Sequence, residues 1–276
     1  MGEMLQAIAL GITQGITEFA PISSTAHLAL LPWLLGWTDP LLNSLTFDVA
    51  LHMGTLIATL AYFAQDWAKL VRAGAASLVE RSIGDDPMRR LAWLLVIGTI
   101  PGAVAGAVLE HQAETAFRSP LLIAGALATW GIILAAAERL GSQHRAMGDI
   151  GRGTALAIGV GQALAIIPGV SRSGGTMTVA MLLGVQRGAA ARFSFLLATP
   201  IMAGAGIKKA VDIAELGTAE PGTMLVVAAG FLSAAVAGYV CIAFLMRYLQ
   251  RGNLYIFAGY RVLLALVVVA VAVTRG

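Results

Sequence analysis

The sequence predicts an all-α polytopic membrane protein, and three observations carry that expectation. Of its 276 residues, 58% are hydrophobic and only 12% charged, with a mean hydropathy of +0.81, well above soluble proteins. Several uncharged apolar runs approach the roughly 20 residues that cross ~30 Å of hydrocarbon. Two further apolar regions are broken at their centres by proline and polar residues, which lipid-facing backbone does not tolerate. The 32 glycines suit helices that pack closely through small residues.

Taken in order, the elements form a pattern. A broken region at about 3–36 is followed by spans at about 45–65, 90–109 and 119–138. A second broken region at about 151–184 precedes spans at about 188–211, 223–246 and 255–275. The interruptions read "FAPISST" and "IPGVSRSGGT". Proline has no N–H and disfavours helix in the residue before it, so each region reads as half-helix, re-entrant loop, half-helix. The fold expected is six transmembrane helices plus two re-entrant pairs, in a single membrane domain over 1–276.

The repeated order implies an internal duplication, repeat 1 at about 1–140 and repeat 2 at about 150–276. "GITQ" at Gly11 returns as "GVGQ" at Gly159; Pro21 follows Gln14 by seven residues and Pro168 follows Gln162 by six. Three crossings per repeat invert the second copy, an inverted-topology repeat whose loops approach the midplane from opposite faces.

Basic residues set the orientation. Lys69, Arg72, Arg81, Arg89, Arg90, Arg139, Arg145, Arg152, Arg187, Arg192, Arg247 and Arg251 fall on one side, against Arg118, Lys208, Lys209 and Arg275 on the other. The first side is expected to be cytoplasmic, with both termini and the mouth of the first broken pair outside. "MGEMLQAIAL" lacks a basic start and is not expected to be a cleaved leader. A net charge of +3 gives no reason to expect nucleic acid, and the single Cys241 allows no internal disulfide.

The broken loops hold the chemistry. An ionisable residue at membrane depth costs ~2.5–3.5 kcal/mol or more and marks a functional site by default, which singles out Glu18 and Arg172. Gln14 lies four residues before Glu18, on the same helix face. Ser23, Ser24 and Thr25 open a return helix whose free N–H groups attract anions, phosphate above all. His27, three residues beyond Ser24, can share its face. In the second loop Ser171, Ser173 and Thr176 offer hydroxyls, while Gly169, Gly174 and Gly175 allow close backbone approach. Arg172 brings a planar fork matched to phosphate oxygens. Ser23 and Thr25 read equally well as helix caps, and His52 as interface packing or as support for the site.

Gln14-x-x-x-Glu18, then "PISSTAH" from Pro21 to His27, then "PGVSRSGGT" from Pro168 to Thr176 resemble the undecaprenyl pyrophosphate phosphatase family, and the likeness extends over essentially the whole chain. The resemblance implies a membrane enzyme that releases the terminal phosphate of undecaprenyl diphosphate, recycling the lipid carrier for cell-wall synthesis in a bacterial plasma membrane. It assigns Glu18, Ser24, His27 and Arg172 to the active site, with Gln14, Thr25, Ser173 and Thr176 around it. Gln14 stands where some members carry Glu, and Ala26 where glycine is common.

On this reading Arg172 and the helix ends hold the diphosphate, Ser24 attacks, and His27 relays the proton. Glu18 beside a diphosphate calls for a divalent cation, Mg²⁺ or Ca²⁺. Direct attack by water stays open, as does a homodimer. The rival reading is a transporter or flippase for a lipid phosphate or anion, since inverted repeats with broken helices are a transporter architecture.

Overall fold

Apolar runs bounded by proline, glycine and charge fold into eleven α-helices among the described residues. The structure is a computed structural model. It describes the backbone of residues 2–114, 119–216 and 221–275, and their side chains except at 45, 110–114, 208–216 and 221. Arg118, Lys208 and Lys209, three of the orientation charges, lie outside the described side chains.

The first half holds α1 (Glu3–Phe19), α2 (Ser24–Leu35), α3 (Leu45–Tyr62), α4 (Ala64–Val79), α5 (Pro87–Glu114) and α6 (Pro120–Leu140). The second holds α7 (Arg152–Leu164), α8 (Arg172–Leu182), α9 (Arg187–Leu216), α10 (Pro221–Tyr248) and α11 (Tyr255–Arg275). Pro87, Pro120 and Pro221 each open a helix, where the missing N–H costs nothing and the fixed φ is already helical. Helices α5, α6, α9, α10 and α11 are long and apolar enough to cross a membrane; α3 and α4, bent by 82° at their junction, make a sixth span if counted together. Apolar side chains such as Val236, Ile256 and Leu263 point outward, 61–67% exposed, as a lipid-facing surface requires. No strand occurs among the described residues; one isolated bridge joins Arg145 to Val185.

Helix α4 departs from expectation, because 66–89 reads as a charged loop. Charge hid a narrow buried face: Leu70 and Ser77, seven residues apart, are buried while Lys69 and Arg72 stay exposed. Trp93 on α5 donates to Ser77 at 2.9 Å and pins the helix down.

Packing follows small residues. Helix α1 lies on α10, and α7 on α5. A side chain at Gly15 would meet the backbone of Ala234 and Gly238 at 2.6–2.7 Å, and one at Gly159 would collide with Gly98. Only glycine permits that approach. Helix α10 also packs on α3 and α5 on α9; α2 touches α11 and α8 touches α6; α3 meets α9 and α6 meets α11. At the basic end Arg192 donates to Asp66 at 2.6 Å. There Arg187 also grips the buried Glu138 with two nitrogens. At the other end Arg275 caps α2 through the carbonyls of Trp33 and Leu34, at 2.7 and 2.9 Å.

Candidate active site

The two breaks form the same way and meet. Helix α1 stops before Pro21, with Ala20 already extended (ψ 136). Ser23 then takes φ 75, and its Oγ accepts from the N–H of Ala26 at 3.4 Å, capping α2. In the second break Ser171 takes φ 72, and its Oγ accepts from the N–H of Gly174 at 3.1 Å, capping α8. A positive φ outside glycine costs on the order of 1–3 kcal/mol and persists where surroundings enforce it.

Here the loops enforce each other. The N–H of Gly169 donates to Ser23 Oγ at 3.0 Å, and Ser173 Oγ donates to the carbonyl of Ala20 at 3.2 Å. Arg261 of α11 lies beneath both loops and is fully buried. It donates to the carbonyls of Pro21 at 3.0 Å, Val170 at 3.0 Å and Leu127 at 3.3 Å, and to that of Gly169.

Glu18 is the centre. Its Oε2 accepts from Ser24 Oγ at 2.6 Å and from Gln14 Nε2 at 3.1 Å, with His52 Nε2 at 3.5 Å. Its Oε1 is paired with Arg172. A buried carboxylate is tolerable only with such partners. Gln14, Glu18 and Ser24, from the consecutive helices α1 and α2, are therefore brought together with Arg172 of the distant α8. Ser23, Ser24, Thr25, Ser171, Arg172 and His52 share a cavity of about 320 Å³, lined as well by Met53, Ile201 and Met202. Thr25, Val49, His52 and Ile166 also line a neighbouring cavity of about 470 Å³, which runs past Trp33 and Asp48.

Four of the expected site residues are engaged elsewhere. His27 does not hydrogen-bond Ser24: its Nδ1 bonds the carbonyl of Ser23 and its Nε2 the hydroxyl of Tyr260, both at 2.7 Å. The cap turns the Ser23 carbonyl onto the imidazole, while Ser24 points back across to α1. Thr176 bonds Ser194 and the carbonyl of Arg172 at 2.7 Å, so it faces α9. Ser173 holds Ala20, and Gly174 packs against Arg261, where a side chain would come within 2.8 Å. These three build the cradle from behind and do not line its cavity.

The sequence reading missed Arg261, although the signal was present. The charge tally leaves two of 18 basic residues on neither side, Arg172 and Arg261, and a cation inside an apolar span is itself a marker. His52 comes closer to Glu18 than His27 does, which no spacing rule reveals.

For a cation the donor set is spare. Among the described residues no group of three or more His, Cys, Asp or Glu side chains converges. Yet Gln14 Oε1 is buried beside Glu18 with no hydrogen-bond partner. One carboxylate and one amide oxygen, completed by phosphate oxygens, match how Mg²⁺ is commonly held.

Helices long and apolar enough to cross a membrane, two capped helix starts, and a serine on a carboxylate with a guanidinium at one cavity define a multi-pass membrane protein with a polar site among its helices. The chain belongs to the family described as Bacitracin resistance protein BacA, which it matches over residues 7–267. It is 50% identical to an undecaprenyl-diphosphatase of Moorella thermoacetica over 268 residues, 97% of each chain. It is 49% identical to one of Desulforudis audaxviator over 272 residues, 98% of each, and 47% identical to one of Geobacter sulfurreducens over 262 residues, 95% of each.

Proposed function

We propose that this protein hydrolyses undecaprenyl diphosphate to undecaprenyl phosphate and inorganic phosphate, returning the lipid carrier to cell-wall synthesis. The observation that carries the reading is Ser24 Oγ held 2.6 Å from Glu18 in a cavity that Arg172 also lines. Relatives close to half identical over nearly their whole length, named for this activity, support the substrate.

Arg172 and the free N–H groups at the starts of α2 and α8 bind the diphosphate; phosphoryl transfer is mostly positioning and charge stabilisation. Ser24 Oγ attacks the terminal phosphorus while Glu18 accepts its proton. The bond to the bridging oxygen breaks, and the prenyl phosphate leaves with that electron pair and takes the proton from Glu18. Water then attacks the phosphoserine, giving a proton to Glu18, which passes it to Ser24 Oγ as the serine–phosphorus bond breaks; inorganic phosphate departs and Ser24 is restored. A divalent cation, Mg²⁺ or Ca²⁺, held by Glu18 and Gln14 Oε1, would offset the repulsion between carboxylate and diphosphate. His27 orients the first loop through the Ser23 carbonyl.

Part of the packing supports the repeat: exchanging α1 with α7, α2 with α8, α3 with α9, α5 with α10 and α6 with α11 carries the pairs α1–α10, α3–α10, α1–α2 and α2–α11 onto α5–α7, α5–α9, α7–α8 and α6–α8, while α8–α9 and α1–α3 have no comparable counterpart among the described residues. The distribution of basic residues supports a cytoplasmic basic end, hence a site opening outward with both termini outside.

Phosphate release from a prenyl diphosphate by purified protein in detergent is the test. It should proceed, stop with chelator and resume with Mg²⁺ or Ca²⁺. No release under any condition would leave the transporter reading. For orientation, a cysteine at Thr38 should be labelled in intact cells by an impermeant reagent and one at Gly84 protected; the reverse would invert the site.

A further inference from the structure

Gln162 on α7 is 4% exposed, and neither its amide nitrogen nor its amide oxygen has a hydrogen-bond partner. A wholly unpaired buried amide is costly and calls for an explanation. Its counterpart shows what is missing. Nine residues separate Gln14 from Ser23 and nine separate Gln162 from Ser171. Four residues after Gln14 comes Glu18, which takes its amide nitrogen. Four residues after Gln162 comes Ile166, whose side chain can accept nothing.

The side chain is not lost in packing. Gln162 lines the cavity that Ser24 and Arg172 line, beside Gly102 and Gly106 of α5 and Ile201 of α9. Its Nε2 lies against Gly102, where an added side chain would come within 3.2 Å. The amide thus stands by Gly102 and Ile201, while Ser24 and Arg172, the groups proposed to attack and grip the terminal phosphate, stand where the loops enter α2 and α8. In a lipid diphosphate the inner phosphate joins the terminal phosphate to the apolar chain, so it must pass between those two regions.

We infer that Gln162 binds the inner phosphate, the one esterified to the prenyl chain, with Nε2 donating to a non-bridging oxygen. The bare face of Gly106, where an added side chain would meet nothing within 4 Å, leaves room in the same cavity for the chain. Gln162 thereby holds the leaving group and helps select lipid diphosphates over inorganic ones. This rests on the phosphatase reading above.

Steady-state hydrolysis of farnesyl diphosphate by Gln162→Leu and Gln162→Met tests it. Both variants keep the volume and remove the amide. KM should rise about tenfold or more, the scale of one hydrogen bond to a charged group, with kcat changed far less. Inhibition by farnesyl monophosphate should weaken by the same factor, inhibition by inorganic phosphate should not, and Tm without ligand should hold or rise. A lowered Tm with unchanged KM would make Gln162 structural. Weaker inhibition by inorganic phosphate alone would move the contact to the terminal phosphate; either result overturns the inference. Wild-type protein runs in the same assay, so its failure to hydrolyse would sink the phosphatase reading instead.

Discussion

The two broken helix pairs share a backbone and differ in what they hang on it. Both turn at a serine of positive φ, Ser23 at 75 and Ser171 at 72, whose own hydroxyl caps the next helix. The next residue is Ser24 in one and Arg172 in the other; four further on from Ser23 stands His27, from Ser171 Gly175. Glu18 in the first pair is matched by Ile166 in the second. The first loop therefore carries a carboxylate, a hydroxyl and an imidazole, and the second carries positive charge and open backbone. One geometry used twice supplies two capped helix starts, the kind of terminus that attracts anions, and divergence at a few positions underlies the proposed division between grip and attack.

If that division of labour holds, substitutions should sort by loop. Glu18→Gln has the largest expected effect of three. It removes the acceptor for Ser24 and strands Arg172, so turnover should fall about 10²–10⁴, the range of a general base, in protein that still elutes folded in detergent. Turnover within a few-fold of wild type would detach Ser24 from Glu18. Arg172→Lys keeps the charge and loses the fork. Turnover should drop about 10²–10³, with weaker binding of prenyl diphosphate by calorimetry, because this loop grips. Unchanged binding there would erase the contrast between the loops. His27→Gln should cost less than about tenfold, since Ser24 already has a base in Glu18. A loss like that of a general base, 10² or more, would return the proton to His27.

Much of this was legible in the sequence, for local reasons. Pro21 and Pro168 must break a helix wherever they stand, and Gln14 and Glu18 must share a face at a spacing of four. An acid and a cation inside apolar regions, Glu18 and Arg172, advertise themselves by their cost. What was not legible depends on distant segments. Helical spacing allowed His27 to meet Ser24, but not the direction in which Ser24 would turn once α1 and α2 packed. Arg261 looked like one more residue of the last span; only the fold reveals that it ties Pro21, Gly169 and Val170 together. The buried face of α4 was masked by neighbouring charges, and the stranded amide of Gln162 depends on what failed to pack beside it.

The central claim is that the first loop performs the attack while the second holds the substrate, and Ser24→Ala tests it most directly. The substitution deletes one oxygen and leaves the cap at Ser23, the staple at Arg261 and the grip of Arg172 in place. Purified Ser24→Ala should bind a prenyl diphosphate about as tightly as wild-type protein while phosphate release falls to background. If it retains a tenth or more of wild-type turnover, Ser24 is not the nucleophile, and water acting at Glu18 must take its place.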